Sequence, residues 1–179
     1  GMWWYSAHYG KKYNFDYLWI MDHLCITVAF AGCFIRLGNL FNSEIYGDVT
    51  TLPWGVIFDR NGETAPKHPT QLYEALSYLI LGLIMVWIYR KRLEKTNRGF
   101  FFGLFLVGCF GMRFIIEFIK EPQVGFEESM VLDMGQWLSI PFIIAGIILL
   151  IWSGIAKKPA AIVHPEPGKK EPTHFAHSL

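Results

Sequence analysis

Apolar residues run almost unbroken through four stretches of this chain: Leu24 to Phe41, Gln71 to Tyr89, Phe100 to Ile119, and Trp137 to Trp152, the last extending readily to Ile155. A hydrocarbon core of about 30 Å takes about 17 to 25 mostly apolar residues as a helix. Each stretch therefore predicts a membrane crossing. The expected fold is all-α, a polytopic α-helical membrane protein with four predicted transmembrane helices. Gly1 to Trp19 differs: it is aromatic, carries the Lys11 and Lys12 pair, and fits an interfacial segment that follows the end of an earlier span. The pattern divides the chain into an interfacial or cytoplasmic segment, 1–23, a four-helix transmembrane domain, 24–155, with an outer loop at 42–69, and a tail, 156–179. The tail is rich in Pro, Lys, Glu and His and is expected to be disordered.

Composition agrees with a membrane setting. Of 179 residues, 53% are hydrophobic and 17% aromatic, while only 17% are charged, below the roughly one quarter usual in soluble domains. The formal net charge is +1. The basic residues sit in short clusters at the ends of apolar runs, which excludes an extended nucleic-acid-binding face. Cys25, Cys33 and Cys109 lie inside apolar runs; on one helix Cys25 and Cys33 stand about 12 Å apart, too far for a disulfide, and all three read as small buried hydrophobes. The N-terminus lacks the charged, apolar and small-residue regions of a signal peptide, so the chain is expected to insert through its own spans or to be a piece of something longer.

The basic clusters set the orientation. Lys11 and Lys12 precede the first span, Arg90, Lys91, Arg92, Lys95 and Arg98 fill the link between the second and third, and Lys157 and Lys158 follow the fourth. With an alternating path all three clusters fall on one side, predicted to be cytoplasmic. Asn42 to Pro69 and Lys120 to Gln136 are then outer loops, and Leu52-Pro53-Trp54-Gly55 in the first of them reads as a tight turn.

Depth then groups the polar residues within the spans. Arg36, Asn39 and Asn42 lie near the outer end of the first span, His68, Gln71 and Glu74 at the outer start of the second, Arg113 and Glu117 in the outer half of the third, and Met134, Gly135 and Gln136 at the start of the fourth. The inner halves read as almost purely apolar. Each grouping has a plainer reading: Arg36 snorkelling to a lipid phosphate, Arg113 pairing with Glu117 four residues on, and His-Pro-Thr-Gln opening a helix. Two arginines, two carboxylates and several amides at one depth also make a cationic pocket. Such a pocket suits a phosphate gripped by charge-assisted hydrogen bonds, and the obvious ligand is an anionic phospholipid headgroup. No HExxH, membrane aspartate cluster or Ser/His/Asp arrangement is present, so neither a metal nor a cofactor is expected.

The segment RLGNLFNSEIYG at 36–47 resembles the signature region of the prolipoprotein diacylglyceryl transferase family. LPWGVIF, HPTQLYEAL, GLFLVGCFGMRFIIEFIKEP and MGQWLSIPFIIAGIILL follow in order and resemble further family blocks, so that the likeness covers roughly Tyr13 to Trp152. The resemblance implies a bacterial inner-membrane enzyme of seven spans with its active site toward the outer leaflet and its C-terminus in the cytoplasm. It implies transfer of the sn-1,2-diacylglyceryl group of phosphatidylglycerol to the lipobox cysteine thiol of prolipoproteins, with release of glycerol phosphate. On the same basis Arg36 and Arg113 hold the phosphate; Asn39 and Glu44 bind headgroup hydroxyls or orient an arginine; Glu117 holds Arg113; and Gly47, His68, Gln71, Tyr73, Glu74 and Gln136 complete the substrate site.

Two departures accompany the likeness. The family's His-Gly motif, a candidate for activating the thiol, belongs on a span upstream of Gly1, and His8 does not match it, so the chain is expected to correspond to the C-terminal four spans. His68 then stands as the understudy for the base. Cys109 occupies a place where many members have tyrosine. The rival class is a transporter or non-enzymatic lipid-binding module; transporters tend to show internal repeats and midplane sites, and neither is visible here.

Overall fold

The structure, a computed structural model, describes residues 1–13, 16–120 and 134–160. Its helices are α1 (Met2–Tyr13), α2 (Tyr17–Phe41), α3 (Thr70–Arg92), α4 (Phe100–Glu117) and α5 (Met134–Ala156), with short 3-10 turns at Asp59–Asn61 and Leu93–Lys95. Among the described residues extended backbone occurs only as isolated bridges. Four helices are long and apolar enough to cross a membrane, as the hydrophobic pattern predicts. They form an up-and-down bundle in which α4 packs on α5, α2 on α3, and α4 touches both α2 and α3, while α1 leans on α2.

The outer faces carry the large apolar side chains, with Phe34, Ile35, Phe41, Ile115 and Ile155 all exposed, the arrangement that lipid tails demand. Inside, Cys25, Met85 and Phe101 form one cluster, and Cys33, Ala75 and Tyr78 another, against which Cys109 packs. All three cysteines are free. At the α4–α5 contact, a β-carbon on Gly103 would sit 3.0 Å from the Gly146 carbonyl oxygen, so small residues let these backbones approach closely.

Two boundaries differ from the sequence reading. The first span starts at Tyr17 rather than Leu24, capped by Asp16, whose carboxylate accepts from the Trp19 amide at 2.9 Å. This extension carries Asp22 into the helix, where it is 1% exposed, so the half of the bundle away from Arg36 and Arg113 is not purely apolar. Asp22 accepts from the backbone amides of Gly99 (2.6 Å) and Phe102 (2.8 Å), satisfying two of the donors that the start of α4 leaves open. Gly99 has φ +86, a left-handed conformation that glycine adopts without a Cβ penalty. Finally, residues 157–160 fold back on the α3–α4 link: Arg98 donates its amide to Lys158 O (2.7 Å) and Ala160 donates to Thr96 O (2.8 Å). The expected disordered tail thus has an ordered beginning, and its remainder, 161–179, lies outside the described residues, as do Asn14, Phe15 and residues 121–133, most of the expected outer loop at 120–136.

Asp22→Ala is expected to destabilise the chain by about 1–2 kcal/mol, the scale of a lost N-terminal cap reinforced by the helix dipole. Asp22→Asn, which keeps one acceptor oxygen, should cost less. Melting temperatures of the full chain in detergent micelles measure both, and an alanine variant as stable as wild type would show that the cap contributes nothing.

Candidate functional site

The C-terminal ends of α2 and α4 and the N-terminal ends of α3 and α5 meet at one end of the bundle, roofed by the loop 42–69. That loop is built around Phe58, which is buried and stacks on Tyr46 with ring centroids 4.6 Å apart. Lys67 lies over the Tyr46 ring and pairs with Glu63 at 3.0 Å, while the Tyr46 hydroxyl donates to Glu63 at 3.0 Å. These contacts, first those with Lys67 and then Tyr46, hold the Glu63 carboxyl below the usual carboxylate range. The turn read at Leu52 to Gly55 is present, with the Gly55 amide donating to Leu52 O at 3.0 Å.

Ser43 and Ile45, on either side of Glu44, both have φ +58. This region is costly for a β-branched residue, about 1–3 kcal/mol, and persists only where the surroundings over-determine it. Here three successive carbonyls are each held by a side chain. Asn61 donates to Ser43 O at 2.7 Å, Gln71 to Glu44 O at 2.6 Å, and Thr70 to Ile45 O at 3.1 Å. Gly47 follows. A β-carbon there would meet the Ile119 carbonyl oxygen and lie 2.7 Å from Thr70 Cγ2 and 2.8 Å from His68 Cβ, so glycine is required by the close passage of α3's start and α4's end.

Beneath this turn lies a chain of charges. Arg36 Nε sits 2.6 Å from Glu74 Oε2, Lys120 Nζ lies 2.9 Å from Glu74 Oε1, and the same Nζ lies 3.2 Å from Glu117 Oε2. The Arg36–Glu74 contact is short but poorly aligned, since Glu74 Oε2 receives no well-directed hydrogen bond; it is an ion pair more than a fork. Glu74 is fully buried and Lys120 is 5% exposed. Burial of charge on this scale is tolerated only when the charges are paired. Among the described residues Arg36 is engaged through Nε alone, which leaves both terminal amino groups of its guanidinium open to a ligand there.

Lys120 is the residue the sequence reading misses. Its place at a span end reads as the start of the outer loop, yet it belongs to the network, and its three-residue spacing from Glu117 is the available signal. Its position also corrects the role expected for Glu117. Glu117 does not hold Arg113: the buried Glu74 draws Lys120 inward, and Glu117 shares that ammonium. The Glu117 carboxylate also lies against the first turn of α5, where a β-carbon on Gly135 would be 2.5 Å from Oε1, a favourable place for a negative charge. Among the described residues Arg113 makes no hydrogen bond or ion pair. Arg113 lies on the same helix as Glu117, one turn before it. Arg36 and Lys120 pair with the two buried carboxylates, which leaves Arg113 as a cation without an anionic partner among the described residues.

The other expected residues fall into two smaller groups. Asn39 donates to Glu44 Oε2 at 3.0 Å; the pair therefore bind each other and not the arginine. Among the described residues the Asn39 Oδ1 and Gln71 Oε1 atoms are buried with no partner, acceptors suited to a hydroxyl donor. In the second group, Trp54 Nε1 donates to the Tyr73 hydroxyl at 3.0 Å, which lies 3.2 Å from His68 Nδ1. Gln136, at the start of α5, is buried and reaches Phe114 O at 3.4 Å. An apolar furrow of about 230 Å³, lined by Ser77, Ile80, Leu81, Ile84, Gly108 and Met112, runs between α3 and α4. Its lining begins at Ser77, about one helical turn along α3 from Glu74, and includes Met112, the residue before Arg113 on α4.

These features define a polytopic helical membrane protein with a cationic site at one end of its bundle. Residues 1–152 match the prolipoprotein diacylglyceryl transferase family. The chain is 48% identical over 149 residues to a Bacteroides fragilis protein described as phosphatidylglycerol--prolipoprotein diacylglyceryl transferase, an alignment covering 83% of this chain and 53% of the relative. Proteins of the same description from Tolumonas auensis (48% over 141 residues, 79% of this chain and 54% of the relative) and Porphyromonas gingivalis (46% over 162 residues, 83% and 56%) are also similar. The chain belongs to the prolipoprotein diacylglyceryl transferase family, and it spans about half the length of the curated relatives it matches.

Proposed function

We propose that this chain forms the phosphatidylglycerol-binding part of an enzyme that transfers the diacylglyceryl group to a prolipoprotein lipobox cysteine. The observation that carries this reading is the pair of guanidiniums, Arg36 anchored by its Nε and Arg113 without an anionic partner among the described residues, above an apolar furrow. A phosphodiester would complete the charge balance, taking the open amino groups of Arg36 and the fork of Arg113. Its acyl chains would follow the furrow. In the reaction the precursor thiolate attacks the diacylglyceryl carbon, the S–C bond forms, the C–O bond to phosphorus breaks, and glycerol phosphate leaves carrying the electron pair. The arginines stabilise the negative charge that gathers on the leaving phosphate. Asn39 Oδ1 and Gln71 Oε1 are placed to accept from hydroxyls of the glycerol headgroup.

The polar end faces the outer leaflet in this proposal, and the link at 89–99 and the C-terminus face the cytoplasm; the concentration of Arg90, Lys91, Arg92, Lys95 and Arg98 at the opposite end supports that orientation. The membrane is then the bacterial inner membrane.

His68 is assigned to holding the roof rather than to the proton. An indole N–H only donates, so the Tyr73 hydroxyl accepts from Trp54 and gives its own proton to His68 Nδ1. The Nδ1 lone pair is then occupied and Nε2 bears the N–H, so neither ring nitrogen offers a free lone pair to the precursor thiol. His68→Asn should leave transfer within about threefold and its pH profile unshifted; a displaced pH profile would restore His68 to the proton chemistry.

The reading is tested in a chimera in which this chain replaces the matching half of the Bacteroides fragilis relative. Transfer of radiolabelled diacylglyceryl from phosphatidylglycerol to a lipobox peptide is the expected result. A membrane-inserted chimera that binds the lipid yet transfers nothing would overturn the enzymatic reading in favour of a lipid-binding module.

A further inference from the structure

At the end of the bundle away from the arginine cluster, a cleft of about 470 Å³ opens between the C-terminal turns of α3 and α5 and the start of α4. Its walls are apolar, formed chiefly by Trp87, Phe100 and Leu150, and Arg92 and Lys95 stand at its rim. The size is that of a small-molecule site. Two of its polar side chains already have partners: the Thr96 hydroxyl donates to Arg92 O at 2.7 Å, and the Asn97 amide donates to Ser153 O at 3.0 Å. The cations are not. Among the described residues neither Arg92 nor Lys95 makes an ion pair; Arg92 only lies over the Trp87 ring, 5.9 Å from its centroid. A second cleft, of about 440 Å³, shares the Trp87 wall and is bordered by Arg90 and Lys91.

We propose that the Arg92–Lys95 cleft is a binding site for an anionic phospholipid of the leaflet at this end of the bundle, separate from the site at Arg36 and Arg113. A molecule that fits must offer negative charge at the rim and hydrocarbon below it, in a position where a membrane supplies both. A lipid phosphate meets Arg92 and Lys95, and its glycerol and first acyl carbons lie against Trp87, Phe100 and Leu150. Basic pockets between helices at a membrane surface bind acidic lipids by this division of labour, and the indole of Trp87 suits the headgroup level. Three elements line the site, so an occupant would add contacts that fasten α3, α4 and α5 together at this end.

Native mass spectrometry of the full chain released from detergent micelles, with dioleoylphosphatidylserine or dioleoylphosphatidylcholine added, tests the proposal. Phosphatidylserine is chosen because its anionic headgroup is not the glycerol headgroup of the proposed substrate. Wild type is expected to retain phosphatidylserine in preference to phosphatidylcholine. Arg92→Gln with Lys95→Gln should weaken that binding about 30-fold, taking a factor of about five for each cation near the membrane surface. Gly154→Phe supplies an independent variant: Gly154 lines the cleft and an added β-carbon there meets nothing within 4 Å, so the ring should fill the cavity and lower binding while every charge is kept. Arg36→Ala with Arg113→Ala should leave this binding unchanged. Equal retention of the two lipids by wild type, or unaltered binding in the glutamine variant, would overturn the site. Loss in the glutamine variant with full binding in Gly154→Phe would also overturn it, since it would reduce the effect to diffuse surface charge.

Discussion

Arg113→Ala is expected to lower diacylglyceryl transfer by about 10²–10³-fold in the chimeric enzyme, the scale seen when a preorganised charge-stabilising donor is removed, while the protein still inserts and folds. The two halves of that expectation have different sources. Arg113 makes no ion pair among the described residues, so its removal leaves no buried carboxylate without a partner, and the melting temperature should stay near that of wild type. Its charge is the one that the buried network does not use internally. A phosphate acquiring charge as its C–O bond breaks would therefore lose its least encumbered partner. Arg36→Ala is a less clean experiment, because Arg36 Nε lies 2.6 Å from the buried Glu74 and its loss disturbs the network as well as the ligand. Arg113→Lys keeps the charge but loses the planar fork, and should fall between wild type and alanine. Assays over a range of phosphatidylglycerol concentrations separate the contributions: a fall in kcat places Arg113 on the transition state, and a rise in KM alone places it on ground-state binding. Transfer within threefold of wild type in Arg113→Ala would remove Arg113 from the phosphate.

Much of this architecture can be read directly from residue order. Four apolar runs of bilayer length correspond to four spans, and the concentration of Arg, Glu, Asn and Gln at alternate span ends places the site at one end of an up-and-down bundle. Where that reading fails, it fails for reasons of partner choice. Asp22 looks like an interfacial residue because nothing in sequence connects it with Gly99, 77 positions away, although the two meet once α2 and α4 pack. Lys120 looks like the first loop residue because lysine at a span end usually reaches for water. Only the arrival of Glu74 from another helix makes its burial favourable. The same event reassigns Glu117, since a four-residue spacing to Arg113 and a three-residue spacing to Lys120 are equally good on one helix and the third helix decides between them. The left-handed Ser43 and Ile45 are invisible in sequence for a related reason, as the side chains that stabilise this turn come from Asn61, Thr70 and Gln71.

Lys120→Met is expected to destabilise the chain by about 3–5 kcal/mol, the cost of breaking a buried ion network by removing one partner. Lys120 Nζ serves two carboxylates, Glu74 at 2.9 Å and Glu117 at 3.2 Å. Without it Glu74 keeps a single poorly aligned contact with Arg36, and Glu117 keeps none among the ion pairs of the described residues. The backbone at this point also carries the roof: the Asp48 amide donates to Ile119 O at 3.1 Å, beside the bridge between Gly47 and Lys120. Loosening Lys120 should therefore loosen the strained turn at Glu44, so that transfer falls together with stability. Neutralising a carboxylate separates charge from packing. Glu117→Gln combined with Lys120→Met removes one charge of each sign, and the double variant should be more stable than the sum of the single losses predicts, with a coupling of about 1–3 kcal/mol. Thermal melts of the four proteins in the same detergent give the cycle. Additive losses would mean that Glu117 and Lys120 do not compensate each other, and the buried network would then owe its stability to the Glu74 contacts alone.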